Sequence, residues 1–60
     1  MPSPVRYGEV KKMLESKGYF HHRVRGSHFT FKKPGIGSYS FPVHGGMVKP
    51  VYVKQIEKLQ

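Results

Sequence analysis

The chain is expected to fold as an α+β unit of order α-β-β-β-α, a three-stranded antiparallel sheet with two helices on one face. Three observations predict this. A stretch with helical apolar spacing stands near each end of the chain. Between them, apolar residues alternate with polar ones in pieces of strand length. Gly26-Ser27 and Pro34-Gly35-Ile36-Gly37 supply the turns that separate those pieces.

Met1-Pro2-Ser3-Pro4 reads as an extended lead-in, with two prolines and no periodicity. From Tyr7 to Lys17 the spacing predicts a helix. Tyr7, Val10 and Leu14 stand at i, i+3 and i+7 with Met13 beside them, and Glu9, Lys11, Lys12 and Glu15 take the other side. Gly18 is placed to end that helix. Tyr19 to Arg25 is aromatic and β-branched enough for a strand, and His28 to Lys33 follows as a second. In the second, Phe29 and Phe31 face one way and His28, Thr30 and Lys32 the other. Pro34 to Gly37 is expected as a four-residue hairpin loop. Ser38 to Val43 is the third strand, with Tyr39, Phe41 and Val43 inward and Ser38 and Ser40 outward. Pro42 suits an edge strand or a strand end. His44-Gly45-Gly46 opens a flexible connection. Lys49-Pro50 begins the last helix, whose apolar stripe is Tyr52, Ile56 and Leu59 with Val53 at its margin.

Sixty residues are expected to form a single domain, residues 1–60, with room for one core only. The aromatic side chains are therefore expected inside it, Tyr19, Phe20, Phe29, Phe31, Tyr39 and Phe41 among them. There is no cysteine, so neither a disulfide nor a thiolate metal site is expected. No apolar run approaches the roughly 20 residues of a membrane-spanning helix, and no signal-peptide pattern is visible. A cytoplasmic location, away from membranes, is the expectation.

Charge narrows the partner. Eleven Lys and Arg stand against three acidic residues, for a net charge of +8 with neutral histidines. Such an excess repels itself and calls for an anionic partner. Nucleic acid comes first, because Lys and Arg contacts to phosphate supply most non-specific binding energy. Arg23, Arg25, Lys32, Lys33 and Lys49 are the candidates for those contacts.

His28 is the candidate catalyst. It follows Gly26 and Ser27 at the start of a strand and points to the polar face. An imidazole exchanges protons near neutral pH. RNA carries its own nucleophile, the 2′-hydroxyl beside each phosphate. Cutting RNA therefore needs a proton carrier and cations that hold the phosphate in line, with no protein nucleophile. Asp is absent and only three Glu are present, so carboxylate-pair and two-metal chemistry have little to work with. His21 and His22 are adjacent and so face opposite ways, His22 toward the core and His21 on the open face. The four histidines show no zinc spacing. No metal and no small-molecule cofactor is expected. His44, beside two glycines, either approaches the open face or simply ends the third strand.

The ordered set Glu9-Val10, Leu14-Glu15, Gly18-Tyr19, Arg23, Gly26-Ser27-His28, Pro42, His44 and Lys49-Pro50 resembles the HicA (YcfA-type) toxin family over nearly the whole chain. Its most specific piece is Gly26-Ser27-His28 at its distance from the helix end. The resemblance implies a small double-stranded-RNA-binding-domain-like fold. It implies an endoribonuclease of the mRNA interferase kind, neutralised by a HicB-type antitoxin; that it acts without metal is expected from the scarcity of carboxylates. The family's active histidine falls on His28, and Gly26, Ser27 and His44 join the cations above as the expected RNA-contacting set. Val51-Tyr52 stand where the family usually has a small residue and a threonine, and Val43 where it usually has a basic residue. The competing expectation is a module that grips RNA with the same basic face and does not cut it. A third, a purely protein-binding domain, predicts no affinity for RNA at low salt.

Overall fold

The computed structural model describes residues 3–60, so Met1 and Pro2 of the expected lead-in lie outside the described residues. The elements are β1 (Val5–Arg6), α1 (Tyr7–Ser16), β2 (Phe20–Arg25), β3 (His28–Lys33), β4 (Gly37–Pro42), β5 (Met47–Val48) and α2 (Pro50–Glu57). The expected α-β-β-β-α order is the backbone of this arrangement. β2, β3 and β4 form an antiparallel sheet in that order, and β1 pairs with β5 in a separate ribbon.

Helix α1 ends where Gly18 takes a left-handed backbone, φ +93°. The Tyr19 N–H then donates to the Leu14 carbonyl and the Gly18 N–H to the Glu15 carbonyl, each at 3.0 Å. That pair of bonds is a Schellman closure, and it turns the chain straight into β2. At the other end of α1 there is no side-chain cap. The Tyr7 N–H donates instead to the Gly46 carbonyl at 2.8 Å, so a distant turn satisfies the first helical donor. Pro50 opens α2 as expected. The ammonium of Lys17 donates to the carbonyls of Glu57 at 3.1 Å and Leu59 at 2.9 Å, joining the end of α1 to the end of α2.

Both helices lie on one face of the sheet. Val10 and Leu14 of α1, Ile56 of α2, Phe31 and Phe41 of the sheet, Val48 of β5 and Tyr19 form the buried core. The Phe31 and Phe41 rings stack 5.8 Å apart with 22° between their planes, and Tyr39 continues the row, 5.8 Å from Phe41. The Tyr39 hydroxyl donates to Gln55 Oε1 at 2.5 Å, which ties the edge strand β4 to α2.

The connections differ from expectation in two places. Lys33 pairs with Gly37, so the β3–β4 loop has three residues, Pro34 to Ile36, and the Ile36 N–H donates to the Lys33 carbonyl at 3.0 Å. His44-Gly45-Gly46 is not a flexible connection. His44 and Met47 exchange two backbone hydrogen bonds, 3.0 and 2.9 Å, around a two-glycine turn. That turn sends β5 back against β1, with Val5 opposite Val48 and Arg6 opposite Met47. A strand of two residues is too short to show periodicity, which is why the ribbon is not legible in sequence. No helix among the described residues is long and apolar enough to cross a membrane.

Phe31→Ala is expected to cost about 3–5 kcal/mol, enough to unfold most of a chain whose total stability is of the order of 5 kcal/mol. Phe29, only half-buried against the core, should cost clearly less. Gly18→Ala should cost about 1–2 kcal/mol for the left-handed backbone, and its new methyl would crowd Lys33 Cε at 3.2 Å. Urea titrations followed by circular dichroism check the ranking; a Phe31→Ala protein as stable as wild type would mean the faces of β3 are reversed.

Candidate functional site

The face of the sheet away from the helices stays open, and strand register says which side chains stand on it. Directly opposed residues share a face. Arg25, His28 and Pro42 make the first row, Arg23, Thr30 and Ser40 the second, and Phe20, Lys32 and Ser38 the third. Thr30 and Ser40 are joined through their hydroxyl oxygens at 2.7 Å. The three Glu are all elsewhere: Glu9 and Glu15 lie in α1 and Glu57 in α2. The open face is thus basic and polar without a carboxylate.

His28 stands on this face, exposed, at the first residue of β3. It is held by a two-residue turn. Arg25 pairs directly with His28, leaving Gly26 and Ser27 as the loop, and Gly26 has φ +59°. Glycine at the first loop position with positive φ matches the type II′ turn that the twist of two strands favours. The half-buried Ser27 offers its carbonyl to the Val43 N–H at 2.8 Å, which fastens the turn to the end of β4. His44 follows Val43 directly, so the hairpin that carries it leaves from beside the turn that carries His28.

The other expected site residues divide. Arg23, Arg25 and Lys32 share the open face with His28. Lys33 does not. Its ammonium lies 5.8 Å from the Tyr19 ring centre and its stem crosses Gly18, on the helix side of the sheet. Lys49 is exposed but caps α2, beyond β5 and off the three-stranded sheet.

The two adjacent histidines are placed opposite to expectation. Register slips between His21 and Arg23, leaving His22 as a bulge. One extra residue reverses the alternation of everything before it. His21 therefore turns to the helix side, where its ring meets Phe31 edge-on at 5.5 Å and Phe29 at 6.0 Å. His22 is exposed at the sheet margin and is not a core residue. Its imidazole sits below the ordinary histidine range: partial desolvation, then the charges of Lys32, Arg23 and His21, disfavour protonation. The same slip puts Phe20 on the open face, although the aromatic residues were expected inside. No local signal in the sequence announces this. Among the described residues, no three His, Asp or Glu side chains gather as metal donors.

These features define a small α+β unit, two helices on one side of a three-stranded sheet and a basic, carboxylate-free face on the other. The chain belongs to the HicA toxins of bacterial toxin–antitoxin systems: that family matches residues 7–60, from the start of α1 through α2. No curated protein and no solved structure matches the chain. Family membership makes it the toxin half of a pair, with an antitoxin as partner.

The division of the two lysines has a measurable consequence. Lys33→Ala should cost about 0.5–1 kcal/mol of stability through the lost ring contact and stem packing. Lys32→Ala should stay within about 0.5 kcal/mol of wild type. Urea midpoints of the two variants, compared side by side, decide it; a larger loss for Lys32 would contradict the assignment of faces.

Proposed function

We propose that this toxin is an endoribonuclease that cuts mRNA in the cytoplasm by metal-independent acid–base catalysis, with His28 as the proton-transfer residue. The observation that carries the reading is the place of His28: an exposed imidazole on the open face, in register with Arg25 and followed by Arg23 and Lys32, with no carboxylate among them. RNA lies across this face with its phosphates on the three cations. The 2′-oxygen of one nucleotide attacks its own 3′-phosphate, the bond to the next 5′-oxygen breaks, and a 2′,3′-cyclic phosphate and a 5′-hydroxyl result. A proton leaves the 2′-hydroxyl and one reaches the departing 5′-oxygen, and His28 serves this transfer. The guanidiniums and Lys32 offset charge gathering on the phosphate oxygens. Gly26 and Ser27 hold the histidine in place, and His44 stands beside that turn as a further RNA contact.

The antitoxin of this pair, of the HicB kind, works by covering the open face and His28. A chain of net charge +8 favours an acidic surface on that partner, which speeds encounter more than it tightens the final complex. Raised salt is expected to slow association, measured by stopped-flow, more than it speeds dissociation, because steering is screened within about 8–10 Å. A toxin–antitoxin complex with His28 uncovered and RNA still cut would contradict this mode of inhibition.

His28→Ala tests the catalytic assignment. Cleavage of saturating RNA should fall by about 10²–10⁴-fold while RNA affinity and folding change little, because phosphate binding rests on Arg23, Arg25 and Lys32. Wild-type cleavage should persist in EDTA. Loss of cutting on chelation refutes the metal-free route. If His28→Ala weakens binding tenfold and leaves turnover of bound RNA intact, His28 is a contact and the domain a binding module.

A further inference from the structure

At the end of the open face away from His28, the sheet exposes apolar side chains that no part of the core needs. Phe20 is 48% exposed, and Ile36, in the β3–β4 loop, is 54% exposed. With Lys32, Pro34 and Ser38 they line a shallow groove of about 380 Å³. Phe20 is there because the bulge at His22 reverses the alternation of β2. The strand thus presents a large ring to solvent on the same side as its cations. Lys32 is the direct cross-strand partner of Phe20, and Arg23 stands in the next row.

An aromatic ring beside a cation, in an open groove, matches a nucleotide. The base lies flat on the ring while its phosphate meets the ammonium. The apolar anchor of a protein partner wants an enclosed, well-packed pocket, and this groove is shallow. The spacing also fits one ligand. Lys32 is four residues along β3 from His28, about 13 Å at strand rise, so a single polynucleotide strand following β3 passes both.

We propose that Phe20 and Ile36 form a stacking subsite for one unpaired base of the RNA, with Lys32 on that nucleotide's phosphate. The proposal rests on the RNA reading above and adds a preference to it. A base inside a duplex is already stacked on both faces and gains nothing from Phe20. The subsite therefore selects single-stranded segments, and selects weakly among bases because every base has a π-face.

The test measures binding with the His28→Ala chain, so that RNA is not consumed. Two fluorescent probes of equal length are compared by anisotropy, an oligouridylate and an abasic oligonucleotide with the same backbone. The oligouridylate should bind about tenfold tighter. Phe20→Leu should bring it down to the abasic value and leave abasic binding and the salt slope unchanged. Phe20→Tyr should keep the difference. Lys32→Ala should weaken both probes and lower the salt slope by about one. Equal binding of the two probes by the parent chain overturns the proposal, and this comparison needs no variant at Phe20. A difference that survives Phe20→Leu also overturns it. If Phe20→Leu leaves RNA binding intact and weakens only the antitoxin complex, the groove is a protein contact and the proposal is wrong. If neither probe binds even at low salt, the RNA reading itself has failed.

Discussion

Phe31 and Phe41, stacked on neighbouring strands beneath the two helices, are the contact on which the rest of the molecule depends. Each is fully buried, and each brings its strand to the helices: Val10 and Leu14 come down from α1 and Ile56 from α2 onto the same rings. The apolar side chains of so short a chain suffice to cover one face of a three-stranded sheet. The other face is left to solvent, and the period of two along each strand sends His28, Thr30 and Lys32 there because Phe29 and Phe31 go the other way. The site is in this sense a consequence of the core.

The distribution of charge follows the same division. The acidic residues lie in the helices, whose outer surfaces face water on the far side of the molecule. Arg23, Arg25 and Lys32 share the open face with a histidine and two linked hydroxyls. An anionic ligand approaching this side meets no carboxylate. The cost is mutual repulsion among the cations that share this face. A polyanion relieves that repulsion by neutralising the cations it contacts.

Two devices remote in sequence hold this face in shape. The β1–β5 ribbon and its two-glycine turn offer the Gly46 carbonyl to the start of α1, replacing a side-chain cap that the sequence lacks. The Ser27–Val43 hydrogen bond fastens the turn before His28 to the end of β4. Neither contact involves residues close in the chain.

What the sequence by itself determined is what neighbours along the chain decide: helical spacing in α1 and α2, the stop at Gly18, the turn at Gly26-Ser27, and the alternation that puts His28 and Lys32 opposite Phe29 and Phe31. The same alternation already separates Lys33 from Lys32; grouping them by charge overlooked it, and the lysine lies against Tyr19. Tertiary structure alone decided the rest. Two-residue strands carry no period, so β1 and β5 exist only through each other. The bulge at His22 is a property of the β2–β3 pairing, not of β2, and it exchanges the faces of Phe20 and His21. Periodicity reads one strand at a time, whereas register is a relation between two, and a single residue of slip moves a side chain from the core side to the open face.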